Sequence, residues 1–291
     1  MSRILIAGCG YVGEAAADLF HAAGWNAEGW VRSNESAARL SAKPYLIRLV
    51  DVSQPAHVAE HAGAFDVVIH CVSSRGGDAE IYRQIYLNGA RDLVEAFPNA
   101  TILFTSSTSV YAQRDGSWVA EGSETKPLRE TSRVLLETEK LILDKGGIVA
   151  RLAGIYGPGR SALLSKFLNG TATIDPQNDR FINQVHRDDI ASALFLLLNR
   201  ETQGRAQIYN VVDDQPILQS DCYRWLAQRL NRHLPPIGKS EQPRKRGDTN
   251  KRVSNAKLRR LGWTPRYPTF AAAMEKSILP SFAEAIDQRS C

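Results

Sequence analysis

Gly8-Cys9-Gly10-Tyr11-Val12-Gly13 is the stretch that decides the fold. It follows an apolar run, Ile4-Leu5-Ile6-Ala7, and opens a small-residue stretch, Glu14-Ala15-Ala16-Ala17-Asp18-Leu19-Phe20. Apolar strand, glycine-rich turn and Ala-rich helix, in that order, form the unit that cradles a dinucleotide pyrophosphate. The first glycine permits the tight turn. The second removes a side chain where the backbone nears the phosphates, and the third lets helix pack close to strand. Free N–H groups at the helix start attract the anion. Gly8, Gly10, Tyr11, Val12 and Gly13 are therefore assigned to a cofactor site.

Outward from this turn, apolar strand-like runs alternate with helical stretches. Strands are expected at 4–7, 27–31, 45–49, 66–71, 101–105 and 148–152, all short and apolar, as strands covered on both faces are. Helices are expected within 79–96 and 132–144, and a helix over 188–198 and a strand over 208–212 return to the same sheet. This is an α/β pattern: a Rossmann-type doubly wound parallel sheet with a smaller, discontinuous C-terminal substrate lobe. The dinucleotide-binding domain spans 1–156 and is completed by 183–212; residues 157–182 and 213–291 form the smaller lobe.

The 291-residue chain is 43% hydrophobic and 23% charged, an ordinary soluble balance. No apolar run reaches the ~20 residues of a membrane span, and no signal peptide fits ahead of the first strand, so a cytoplasmic protein without a membrane partner is expected. Cys9, Cys71, Cys222 and Cys291 lie far apart, with no metal-binding spacing and no disulfide pattern. The net charge of +5 conceals a basic stretch from Lys239 to Arg266, with ten Lys/Arg against two acids. It lacks the interleaved aromatics of a nucleic-acid site. An anionic small molecule fits it better, and a solvated basic face is the other reading.

The end of the second strand bears on which dinucleotide is bound. An acid there would hold a ribose 2′-hydroxyl and repel a 2′-phosphate. The position is Val31, followed by Arg32 and Ser33, a cation and a hydroxyl suited to that phosphate. NADP is expected over NAD, with NAD left open. Ligands sit at the carboxyl ends of parallel strands, so Asp51 and Val52 are expected at the adenine, and Cys71, Val72 and Ser73 beside the cofactor ribose.

Further landmarks follow in order: Asp66-Val67-Val68-Ile69-His70, Thr105-Ser106-Ser107-Thr108-Ser109-Val110-Tyr111, Arg151-Leu152-Ala153-Gly154-Ile155-Tyr156-Gly157-Pro158-Gly159, Val185-His186-Arg187-Asp188-Asp189, Tyr209-Asn210-Val211 and Leu261-Gly262-Trp263-Thr264-Pro265. Together with the glycine turn they resemble the extended short-chain dehydrogenase/reductase family, in its NAD-dependent epimerase/dehydratase branch, over nearly the whole chain.

In that family a Tyr-x-x-x-Lys pair on the helix after the fifth strand moves the proton, and a Ser or Thr at the end of that strand holds the reacting oxygen. The resemblance puts Ser107 in the Ser/Thr place. Matching Leu136-Glu137-Thr138-Glu139 to the family helix puts Thr131 at the Tyr position and Leu135 at the Lys position. Thr has no pKa near neutrality, and Leu has neither charge nor donor. No Tyr-x-x-x-Lys occurs anywhere in the chain. Tyr86 also replaces the family's Asn. The chain therefore resembles the atypical members. Ser107 and Thr131 are its catalytic candidates, Tyr111 or Tyr156 could supply a substitute phenol, and Arg133 could replace the lost charge but not the proton.

Arg160, His186, Lys245 and Arg252 are assigned to the substrate side; in the family the His matching His186 closes a hydrogen-bond network. Asp188 and Asp189 are expected to cap the helix that they open. The resemblance implies an NAD(P)-dependent oxidoreductase or isomerase acting on a small carbonyl or hydroxyl substrate, nucleotide-sugars included. The alternative is a non-catalytic NADP(H)-binding protein that senses redox state or assembles with a partner. It also implies a homodimer through the 79–96 and 132–144 helices.

Overall fold

In the computed structural model, which describes residues 2–74, 76–199, 206–239, 249–283 and 286, the chain forms two compact units. The first comprises Met1–Val110, Thr125–Leu152 and Ile190–Tyr209. Its centre is β1 (Arg3–Ala7), and Ile4 to Ala7 are wholly buried. The other strands are β2 (Asn26–Val31), β3 (Leu46–Leu49), β4 (Val67–His70), β5 (Thr101–Ser107), β7 (Ile148–Leu152) and β11 (Gln207–Val211). They make one seven-stranded parallel sheet in the order β11-β7-β5-β4-β1-β2-β3. This is the Rossmann-type α/β fold. After β3 the chain crosses to the other side of β1 and continues with β4. Ligands bind outside the carboxyl ends of strands at such a reversal.

Helices α1 (Tyr11–Ala22), α2 (Asn34–Arg39), α3 (Pro55–Glu60), α4 (Ala79–Tyr82), α5 (Gly89–Ala96) and α6 (Glu130–Asp144) connect the strands. Two features depart from the expected pattern. β3 is an edge strand, with Leu46 and Leu49 about half exposed, so it is not covered on both faces. The 79–96 helix is not uniform, because Arg83–Asn88 is wound as a π-helix between α4 and α5. A buried side chain meets it from below. The buried ring of His70, at the end of β4, brings Nε2 to 3.3 Å from Tyr86 O, a carbonyl of this widened stretch.

A buried ion pair fastens α6 to the sheet. Arg151 Nη2 of β7 lies 2.6 Å from Glu139 Oε2 of α6, and Ser106 Oγ of β5 donates to Glu139 Oε1 at 2.6 Å. Both charged side chains are almost wholly buried, so each carboxylate oxygen needs these donors.

The second unit comprises Tyr111–Glu124, Ala153–Asp189 and Asn210–Cys291. It takes residues 111–124, 153–156, 183–189 and 210–212 from the expected first domain. The reason is long-range pairing. β6 (Trp118–Val119) pairs with β13 (Arg252–Val253), β8 (Gly154–Tyr156) with β10 (Gln184–His186), and β9 (Phe181–Ile182) with β12 (Ile217–Leu218). Helices α7 (Ala162–Leu168), α9 (Gln219–Arg229), α10 (Ala256–Arg260), α11 (Phe270–Ala273) and α12 (Leu279–Ser281) belong to this unit, and α8 (Arg187–Asn199) crosses the boundary. Its apolar core includes Tyr156, Leu164, Tyr223, Leu226, Phe270, Met274 and Ile278. Among the described residues no helix is long and apolar enough to cross a membrane.

Candidate functional site

The turn after β1 is built for close approach. Gly8 has φ +99°, and a Cβ there would lie 2.5 Å from Val72 N. A Cβ at Gly13 would strike Gly8 O and come within 3.0 Å of Ile6 Cγ2. Gly10 differs: it is exposed, and a Cβ there would meet only Gly8 O at 4.0 Å. Gly8 and Gly13 are thus demanded by the protein's own packing, whereas Gly10 keeps the outer face of the turn clear. Gly10 is also the N-cap of α1 and supplies no capping side chain, and the start of a twelve-residue helix attracts an anion. These features fit a dinucleotide pyrophosphate.

Around this turn, Cys71 Sγ donates to Gly8 O at 3.2 Å, and burial pushes its thiol well above the usual range. Cys9 is buried and pushed up to about 12, so neither thiol is poised to react. Val72 is half-buried and Ser73 exposed. The next residue, Ser74, gives its backbone N–H to Tyr86 Oη at 3.2 Å. Tyr86 thereby anchors the segment after β4, a role not seen in the sequence, where it registered only as a missing Asn.

At the end of β2, Val31 is buried and Arg32 exposed. Ser33 caps α2, its Oγ accepting from Ser36 N at 3.3 Å. The nearest acid in sequence, Glu28, is buried and accepts from Trp30 Nε1 and Arg48 Nε, both at 2.9 Å. Asp51 Oδ1 accepts from Ser53 N and Oγ at 3.0 and 2.7 Å, and Val52 is buried.

Ser107 ends β5, half-buried, with Oγ accepting from Ser109 N at 3.2 Å. Its own hydroxyl proton is therefore left to donate. Thr131 is half-buried in the first turn of α6, and Leu135 is buried one turn later. Arg133 does not replace the lost lysine: it is exposed, paired with Glu130 at 2.9 Å and donating to Pro127 O.

In the second unit, Tyr111 is wholly buried and donates to Asn210 Oδ1 at 2.9 Å, which commits its phenol to structure. Tyr156 is equally buried beside Asp213, and burial raises its pKa. His186 is buried as well. Nδ1 accepts from Asp188 N at 3.2 Å, Nε2 faces Ser277 Oγ at 2.9 Å, and the ring lies 3.9 Å from that of Tyr267. Burial lowers its pKa to about 4, so it is a neutral bracket rather than an open substrate contact. Asp189 lies with Asp188 in the first turn of α8. It accepts from Arg266 N at 2.6 Å and Tyr267 N at 3.0 Å, and burial raises it to about 6.

Arg160 is exposed in a tight turn. Arg252 donates through Nε to Gly116 O at 2.8 Å and lies over the rings of Trp118 and Phe181. Lys245 falls outside the described residues. Lys251 escaped the sequence reading, because one buried lysine in a basic stretch carries no periodic signal.

The chain belongs to the NAD dependent epimerase/dehydratase family, whose profile matches residues 4–211. Protein YeeZ of Escherichia coli K12 is 30% identical over 253 residues, covering 82% of this chain and 88% of that protein. A solved structure from Methylobacillus flagellatus, assigned to the NAD-dependent epimerase/dehydratases, is 29% identical, with TM-score 0.78 and coverage of 94% of this chain and 96% of that one. The UDP-glucuronic acid 4-epimerase of Bacillus cereus, solved with UDP-glucuronic acid and NAD, shares the fold at 17% identity, with TM-score 0.80 and coverage of 98% and 99%.

Proposed function

We propose that this protein binds NADP(H) and acts as an oxidoreductase or isomerase of the epimerase/dehydratase type on a small carbonyl or hydroxyl substrate. The observation that carries the reading is the Gly8–Gly13 turn, in which two glycines are required by packing and the third keeps the pyrophosphate face clear. When bound, the nicotinamide supplies hydride transfer. Arg32 favours the 2′-phosphate by charge, and Glu28, the acid within β2, is buried and held by Trp30 and Arg48. Ser107 holds the reacting oxygen through its hydroxyl. Thr131 and Leu135 exclude the usual phenol–ammonium relay, so the proton comes from water, from the substrate or from another group. The cytoplasm as its compartment and a homodimer through α4–α6 are parts of the same reading; light scattering that finds a monomer removes the dimer.

Absorbance at 340 nm, followed across a panel of carbonyl compounds and nucleotide-sugars, tests the activity. The substrate found should lose about a hundred-fold or more in kcat with Ser107→Ala, at unchanged NADP(H) affinity. An unaltered kcat in that variant, or no turnover across the panel, favours a binding protein that does not turn over, the reading that the Thr131/Leu135 replacement supports.

A further inference from the structure

Tyr86 is held from two directions within the first unit. Its carbonyl, inside the π-helical stretch, accepts from His70 Nε2 at 3.3 Å. Nδ1 of the same ring is buried with no partner among the described residues, which places the ring proton on Nε2. At its other end the Tyr86 phenol accepts from Ser74 N at 3.2 Å and donates to Ser74 Oγ at 3.4 Å. Between these ends the side chain is buried, with the rings of Tyr82 and Phe104 set edge-on, centroids 4.9 and 6.1 Å away. A ring packed in this way keeps few rotamers, so its hydroxyl is a fixed point.

The segment that this hydroxyl holds abuts the glycine turn. Cys71 N donates to Ala7 O at 2.9 Å and Cys71 Sγ to Gly8 O at 3.2 Å. A Cβ on Gly8 would lie within 2.7 Å of Cys71 C, Val72 N and Val72 Cα. Beyond Ser74 come Gly76 and Gly77, both at φ +112°, a backbone with little stiffness of its own. Gly76 N donates to Ser74 Oγ at 3.4 Å. Ser74 is therefore the point at which the segment is pinned, and Tyr86 is the pin.

Topology gives this segment its half of a dinucleotide. β2 lies on one side of β1 and β4 on the other. In a doubly wound sheet the adenosine ribose goes with the end of β2, so the other half falls to the β4 side.

We propose that Tyr86 is a positioning residue for the nicotinamide half of the dinucleotide, acting through Ser74 on the segment that follows β4. This rests on the cofactor binding proposed above and deepens it. The Tyr in place of the family's Asn is then a replacement with a bond of its own to make.

Titrations of the full chain test it, with NADPH followed by fluorescence and with NADP and adenosine 2′,5′-bisphosphate by calorimetry. The bisphosphate lacks the nicotinamide half. Tyr86→Phe removes a single oxygen from a packed ring. It should weaken NADP and NADPH about five-fold or more and leave the bisphosphate within about two-fold. A role confined to folding would move all three ligands alike, or none. In the wild type, NADPH should also slow amide exchange across 72–74 more than the bisphosphate does, a readout that stands even if the variant does not fold. The proposal is overturned if Tyr86→Phe binds all three ligands as the wild type does, if it loses them equally, or if the two ligands protect 72–74 alike. A wild type that binds neither dinucleotide sinks the cofactor site as well; a wild type that binds NADP beside an unaffected variant sinks only the role of Tyr86.

Discussion

The glycine turn after β1 and the first two turns of α6 make an instructive pair. The turn retains every residue that its task requires: Gly8 and Gly13 leave no space for a methyl group. Helix α6 has its fastening to the sheet, Glu139 with Arg151 and Ser106, yet carries Thr131 and Leu135 in the first turns, which the proposed reading sets at the family's proton-relay positions. In the proposed reading, residues that hold the scaffold and the cofactor loop are intact, and residues that only move protons have been replaced. Scaffold and chemistry are separable on a single helix, one turn apart.

The strongest blow to the retained half is Glu139→Ala. It strands the Arg151 guanidinium in the core and should cost about 3–5 kcal/mol in urea unfolding. A loss under 1 kcal/mol would show that α6 is held by apolar packing alone. Next in size is Gly13→Ala, whose new Cβ presses on Gly8 O and displaces α1. NADP(H) affinity should fall about a hundred-fold, roughly 2.7 kcal/mol, in a fluorescence titration; retained affinity would break the comparison at its firmer end.

A smaller effect concerns pH. Burial depresses His70 from 6.5 to about 4. The unfolded chain takes up a proton below pH 6.5, whereas the folded chain does so only near pH 4. Stability from this group is therefore complete above pH 6.5 and is lost as pH falls towards 4. Between pH 6.5 and 4.5 the loss should be about 2 kcal/mol, measured by urea midpoints. His186 acts in the same direction and Asp189, raised to about 6, in the opposite one, so the readout is the slope removed by His70→Gln. The smallest expected change is Arg32→Ala. It should weaken NADP about ten-fold and leave NAD nearly unchanged, and equal losses for both would assign Arg32 to the protein surface.

Much of the first unit was legible because its causes are local. A glycine turn between strand and helix is a steric statement about neighbouring residues, and the helix motif that exposed Thr131 and Leu135 is equally local. What was not legible depends on distant partners. β6 joins the second unit only because it pairs with β13, more than a hundred residues later. Tyr111 and Arg252 looked like open polar groups until their neighbours appeared, and the hydrogen-bond network implied for His186 gained its partners, Ser277 and Asp188. The half-exposed leucines of β3 look like any buried strand, because a sheet edge is a property of order, which no single strand encodes.

The π-helical stretch at Arg83–Asn88 has a consequence for phase. Wider winding there means that residues before and after it do not share one helical wheel. Counting back from Gly89 at ordinary α-helical spacing assigns Tyr82 and Tyr86 to the wrong meridians. A chain shortened by one residue in this stretch would regain a continuous wheel, but α4 would turn by roughly 100° relative to α5. Tyr86 would then be carried away from Ser74, and the strand end that it steadies would come adrift.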